Sequence, residues 1–172
     1  LGDEAVALGA LHAGISGAFA YPGTPATEIF EAIQEWAPEV WAQWSANEKV
    51  AYEEALGMSY AGKRALISMK HVGLNVAADP FINSALTGVN GGMVLVVADD
   101  PGMHSSQNEQ DSRFYAEFAK VPCFEPGNQQ QCYDMTREAF EMSESLRIPV
   151  MLRLVTRLSH SRSNVKDSAP AE

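Results

Sequence analysis

Short apolar runs that alternate with longer stretches of helical period predict a Rossmann-like, three-layer α/β/α domain around a mostly parallel six-stranded sheet. Two further observations support that class. The runs are apolar throughout rather than alternating with polar residues, as strands covered on both faces must be. Four of them are followed by polar or glycine-rich segments, whereas the opposite connections, 61–63 and 90–92, read as plain turns. The expected strands are 17–21, 40–44, 65–70, 93–98, 121–124 and 149–155.

Start and stop signals place three helices between them. Thr24 and Pro25 read as N-cap and first helical position, with Ala26, Ile29, Ile33 and Trp36 as the apolar stripe and an end near Pro38. Ser45-Ala46-Asn47-Glu48 has capping-box spacing, and Val50, Ala51, Ala55 and Met58 follow on one face until Gly62. Asn128-Gln129-Gln130-Gln131 repeats that signature ahead of Cys132, Met135, Ala139, Met142 and Leu146. Residues 158–172 turn polar and lose periodicity, so the packed domain is expected over 1–157 with a linker or disordered tail after it. There are no internal repeats.

A chain of 172 residues with 46% hydrophobic and 20% charged residues suits a single folded core. Its net charge of −10 opposes binding to nucleic acid or to an anionic membrane surface. The longest apolar run, 93–98, falls far short of the roughly 20 residues that span a bilayer. Cys123 and Cys132, nine residues apart with no second pair, match neither a metal motif nor a disulfide framework, which fits a reducing cytoplasm. The chain starts at Leu1 without an initiator Met and reads as a piece of a longer protein.

In an open parallel sheet, ligands bind beyond the carboxyl ends of the strands, where helix N-termini point free N–H groups outward. The segments that fall there are Tyr21-Pro22-Gly23-Thr24-Pro25, Ser45-Ala46-Asn47-Glu48, Lys70-His71-Val72-Gly73-Leu74-Asn75 and the long run from Asp99 to Gln110. With their flanks, these four segments resemble the amino-terminal pyrimidine-binding domain of the thiamine diphosphate-dependent 2-oxoacid:ferredoxin oxidoreductases. The resemblance covers roughly residues 1–160 in order. The Lys70-His71-Val72-Gly73 and His104-Ser105-Ser106-Gln107 stretches point to the branch that oxidises indolepyruvate and other arylpyruvates. It implies oxidative decarboxylation to an acyl-coenzyme A, with electrons passing through iron–sulfur clusters to ferredoxin. A pyruvate or 2-oxoglutarate enzyme, and a non-catalytic α/β ligand-binding module, are the alternatives.

For Glu48, spacing alone makes it the third helical residue, bonding back to the Ser45 backbone. The resemblance implies instead a catalytic glutamate that shares a proton with the aminopyrimidine ring nitrogen of the cofactor. Thr24 is a sufficient N-cap by itself; the resemblance assigns its hydroxyl to the 2-oxoacid or cofactor, and adds Pro22 and Gly73 to the cofactor contacts. Gly23 stands where pyruvate-specific relatives carry a larger apolar residue, making room for an aryl group. Lys70, His71 and Asn75 are either a solvated strand end and ordinary loop residues, or groups that face the substrate carboxylate and reacting carbon. His104, Ser105, Gln107 and Gln110 lie in a loop long enough to close over substrate.

Asp99 and Asp100 suggest a metal or phosphoacceptor pair, although a receiver-type pocket places such a pair after the first strand. His12 and His160 lack partners at ligand spacing, so no zinc motif is expected. Tyr52, Trp36, Trp41 and Trp44 read as core aromatics. The chain has neither the glycine-aspartate-glycine motif that holds diphosphate through Mg2+ nor the cysteine runs for [4Fe-4S] clusters. The resemblance therefore implies that a diphosphate-binding domain and a second subunit of an oligomeric enzyme supply these, and that this piece alone is inactive.

Overall fold

The computed structural model describes residues 1–168. Its six strands are β1 Gly17–Ala20, β2 Trp41–Trp44, β3 Ala65–Lys70, β4 Met93–Asp99, β5 Cys123–Phe124 and β6 Val150–Val155. They form one sheet in the order β2-β1-β3-β4-β6-β5, and every neighbouring pair is parallel. The helices are α1 Gly2–His12, α2 Thr27–Trp36, α3 Glu48–Tyr60, α4 His71–Thr87, α5 Arg113–Ala119, α6 Gln129–Leu146 and α7 Thr156–Ser159.

Alternate residues of the central strands feed two cores. Leu66, Val94, Val96, Leu152 and Leu154 face α1, α2 and α6, where they join a cluster with Val6, Ile29, Phe30, Ile33 and Phe140. Ile67, Met69, Leu95, Val97 and Met151 face the other way and join Tyr52, Leu74, Phe81 and Ala116 of α3, α4 and α5. Both strand faces are covered, which is why the runs carry no polar alternation.

Several local expectations are corrected. Thr24 and Pro25 precede α2 and do not begin it: their peptide bond is cis, and the Gly23 N–H donates to Thr27 Oγ1 at 3.0 Å across the turn. Ser45 does not cap α3. Asn47 does, its Oδ1 accepting from the Val50 N–H at 3.0 Å, while the Ser45 hydroxyl donates to Glu54. Glu48 is therefore the first helical residue, and the capping-box reading falls.

No loop follows the third strand, because β3 passes straight into α4 with Lys70 as an N-cap that makes no side-chain cap bond. That missing cap, with Gly73 and Pro80 inside the helix, hides α4 from a sequence-level reading. Trp36 and Trp41 are 45% and 63% exposed and are not core residues, whereas Trp44 packs on Phe30 with ring centroids 4.1 Å apart and Tyr52 is fully buried. Leu158 and Ser159 are buried in α7, so packing continues past residue 157. Beyond them the chain lies along α6, where the Lys166 N–H donates to Gln130 Oε1 at 2.8 Å and the Ser168 N–H to the Tyr133 hydroxyl at 3.1 Å. Residues 169–172 of the expected tail lie outside the described residues.

The amino-terminal edge of the sheet is closed by a forked ion pair. Arg64 Nε and Nη2 each donate to a Glu144 oxygen at 2.7 Å, Nη1 donates to the Ala13 carbonyl, and Glu144 also accepts from the Gly92 N–H at 3.1 Å. The Arg64 contact holds the Glu144 carboxyl below its usual range. Glu144→Ala is expected to lower the unfolding free energy by about 1–2 kcal/mol, the price of stranding a partly buried guanidinium and one N–H. Denaturant unfolding reads that loss, and the double variant Arg64→Met/Glu144→Leu is expected to recover most of it.

Candidate functional site

The chain leaves β1 through α2 towards β2 on one side of the sheet, and leaves β3 through α4 towards β4 on the other. Because β1 and β3 are neighbours, a crevice opens over their carboxyl ends, the switch point of the topology. The connections after β1, β2, β3 and β4 all surround it. The residues named from sequence fall into three groups there.

The first group is Glu48 with Gly73. Glu48 opens α3 and is half-buried, with its carboxyl against the first turn of α4. A Cβ on Gly73 would stand 2.6 Å from Glu48 Oε1 and 2.7 Å from Cγ, so only glycine admits the carboxyl at this place. Glu48 makes no side-chain hydrogen bond or ion pair among the described residues. An acceptor beside the free N–H groups of two helix starts, with its own bonding capacity unused, is available to a ligand.

The second group ties the β1 turn to the β4 loop. The Lys70 ammonium donates to the Ser105 carbonyl at 3.3 Å, and the Ser105 hydroxyl to the Thr24 carbonyl at 3.4 Å. A Cβ on Gly23 would meet Lys70 Cδ at 3.2 Å and Cγ at 3.4 Å. The room expected beside Gly23 for an aryl group is thus taken by the Lys70 stem, which is flexible and can be displaced. Pro22 and Thr24 are exposed at the rim, and Thr24 is not a helix cap.

The third group anchors the loop. His71 is fully buried as the first residue of α4, and its Nε2 donates to the Asn108 carbonyl at 3.0 Å. It therefore holds the loop from below and does not face open substrate space. Asn75 and Gln110 pair reciprocally through their amides at 3.0 Å, with the Tyr115 hydroxyl accepting from Asn75 at 2.8 Å. His104 and Gln107 are exposed on the outer part of the loop.

Asp99 and Asp100 staple the loop at its two ends. Asp100 accepts from the Ser105 N–H at 2.8 Å and from the Thr156 hydroxyl at 2.6 Å. Asp99 accepts from the Ser112 N–H at 3.1 Å, from the Ser112 hydroxyl and from Arg153 Nε at 2.7 Å. Burial would raise the Asp100 carboxyl, but the donors of Thr156, Ser105 and their neighbours outweigh it and hold it well below the usual carboxylate range. With their lone pairs engaged in this way, the two carboxylates are neither a phosphoacceptor nor a metal pair. Arg153, Thr156 and Tyr115 were not expected here, and the only sequence signal for the first two is their place at the end of the last strand.

Residues 8–171 match the family described as pyruvate flavodoxin/ferredoxin oxidoreductase, thiamine diphosphate-binding. The chain is 50% identical over 172 residues to indolepyruvate oxidoreductase subunit IorA of Archaeoglobus fulgidus, covering 96% of this chain and 28% of that protein. The corresponding subunit of Thermococcus kodakarensis is 52% identical over 167 residues, with 96% and 26% covered. Ketoisovalerate oxidoreductase subunit VorB of Methanothermobacter thermautotrophicus is 27% identical over 161 residues, with 88% and 45% covered. The chain thus spans about a quarter of the length of these IorA relatives. A solved 2-oxoglutarate:ferredoxin oxidoreductase from Magnetococcus marinus shares the fold, with a TM-score of 0.81 at 22% identity over 92% of this chain and 29% of that one.

The loop staples predict an acid response. Just past the loop, Arg113 Nε and Nη2 donate to the Asp111 carboxylate at 2.8 and 2.6 Å and hold it down to about 2, and Asp100 is also depressed, so the contribution of both is complete above the ordinary carboxylate value of 3.8 and is lost as pH falls below it. Hydrogen exchange, corrected for intrinsic rates, is expected to show loop amides 102–110 losing protection between about pH 4 and pH 2. Asp100→Asn is expected to produce the same loss at neutral pH while the β4 amides stay protected.

Proposed function

Because the chain belongs to the family of thiamine diphosphate-binding domains of the pyruvate flavodoxin/ferredoxin oxidoreductases, we propose that it supplies the pyrimidine half of the cofactor site in an indolepyruvate:ferredoxin oxidoreductase. The observation that carries this reading is the half-buried Glu48 carboxyl, free of protein partners and admitted against α4 only by a glycine. These residues fit the aminopyrimidine ring, which needs one carboxyl at its ring nitrogen and close backbone beside it. The high identity to the IorA subunits, against 27% to VorB, supports an arylpyruvate over a branched-chain 2-oxoacid.

When bound, thiamine diphosphate supplies the nucleophilic carbon and the electron sink for decarboxylation. Glu48 holds a proton at the ring nitrogen and so sets the protonation state of the pyrimidine. Gly73 keeps α4 against that carboxyl and excludes water from its flank. Pro22 and the Thr24 hydroxyl line the rim towards cofactor and 2-oxoacid. Lys70 leaves the Ser105 carbonyl to meet the substrate carboxylate, its stem moving off Gly23 to admit the aryl group. Asn75, Gln110, His104, Ser105 and Gln107 form the closing side, with His71 fixing the loop at Asn108.

The remainder of the enzyme provides the diphosphate-binding domain with Mg2+, a second subunit, [4Fe-4S] clusters, and the sites for coenzyme A and ferredoxin. The reaction takes a 2-oxoacid and coenzyme A to an acyl-coenzyme A and carbon dioxide, delivering two electrons singly to ferredoxin in the cytoplasm. Residues 1–172 alone are expected to turn nothing over.

Viologen or ferredoxin reduction by the anaerobically assembled enzyme with thiamine diphosphate, Mg2+, coenzyme A and indolepyruvate tests the reading. Glu48→Gln is expected to lower turnover by about 100-fold or more without changing the circular dichroism spectrum. Gly73→Ala is expected to lower it by displacing the same carboxyl. Near-normal turnover in Glu48→Gln would falsify the assignment, and a preference for pyruvate or 2-oxoglutarate would overturn the arylpyruvate part alone.

A further inference from the structure

Three side chains far apart in sequence meet on the α1, α2 and α7 side of the carboxyl edge. Asp3 lies in the first turn of α1, Glu28 in the first turn of α2, and His160 follows α7. One ligand atom from each lies within 4.8 Å of the others, and His160 Nε2 is 3.5 Å from Glu28 Oε1. Asp3 is completely buried, yet neither of its oxygens has a hydrogen-bond partner among the described residues. The Glu28 Oε2 and the hydroxyl of buried Ser159 are likewise without one. Proteins rarely leave so many buried acceptors unpaired in one place.

We propose that Asp3, Glu28 and His160 form a divalent-cation site of the zinc class, separate from the cofactor crevice. One imidazole nitrogen and two carboxylate oxygens are a donor set that suits Zn2+. With bonds near 2.0–2.1 Å, a tetrahedral ion sets neighbouring ligand atoms roughly 3.4 Å apart, close to the His160–Glu28 separation. The buried Ser159 hydroxyl is at hand to orient a water in the fourth position. The His160 and Glu28 side chains are each about a third exposed, which gives the ion a path from solvent to the enclosed Asp3.

The energetics favour an ion in the same way. Burial, with the Glu28 carboxylate beside it, raises the Asp3 carboxyl above the usual carboxylate range, the position of an enclosed acid with no cation to balance it. Because Glu28 lies four residues after Thr24, in the first turn of α2, the ion would tie the start of α2 to α1 and to the chain leaving β6.

The test is metal content of the intact protein after chelator treatment, dialysis against Zn2+ and removal of free ion. Wild type is expected to retain one zinc equivalent more than either Asp3→Asn or His160→Ala. Its thermal midpoint is expected to rise by several degrees on adding Zn2+, and those of the variants to stay put. Equal zinc in wild type and both variants overturns the proposal, as does loss in one variant with full loading in the other. His160→Ala changes only a solvent-side ring, and so keeps the test decisive if Asp3→Asn folds poorly.

Discussion

Parallel strands can be joined only by a crossover that returns along one face of the sheet, and the arrangement of those crossovers governs the rest of this domain. With every neighbouring pair parallel, each strand delivers its chain to the same edge, and α2, α3 and α4 all start there. The two faces are sealed by apolar clusters, so the carboxyl edge is where polar side chains can collect. The reversal of direction between β1 and β3 then opens the crevice that Glu48, Lys70 and the Thr24 turn surround.

Within that edge, the polar groups divide by whether their bonding capacity is already used. Asp99, Asp100 and His71 are buried and bonded to the long β4 loop, which they give a definite path, although His71 uses only Nε2 and its Nδ1 has no partner among the described residues. Glu48, Thr24, His104 and Gln107 lie on the same edge, and their side chains have no hydrogen-bond partner among the described residues. Sequence proximity does not separate the two sets: Lys70 and His71 are adjacent, yet one reaches the crevice and the other is wholly enclosed. The separation comes from α4, which begins between them.

The sheet was legible because residues 65–70 and 93–98 are apolar on both faces, a pattern that only covered strands require. The helix start at Asn128 carries its own cap and forms where the sequence places it, whereas α3 is capped by Asn47 and not by Ser45, two residues from the expected start. The starts of α1 and α4 were hidden, the first because a helix buried on most of its surface has little periodicity, the second because its cap makes no side-chain bond. At the site, motifs located the correct four connections, but they could not tell a carboxylate that staples a loop from one that is free. Nor could spacing join Asp3, Glu28 and His160, which come together only once α1, α2 and α7 pack.

The direct passage of β3 into α4 has a consequence for how the domain tolerates change. A helix advances about 100° for each residue added, and here no slack lies between strand and helix to absorb an insertion. A single extra residue between Lys70 and Gly73 would carry the glycine to another side of α4 and bring a side chain against Glu48. Length variation is thus forbidden at this junction, whereas the exposed stretch around His104 and Gln107 can be lengthened or recoloured while the stapled ends stay in place.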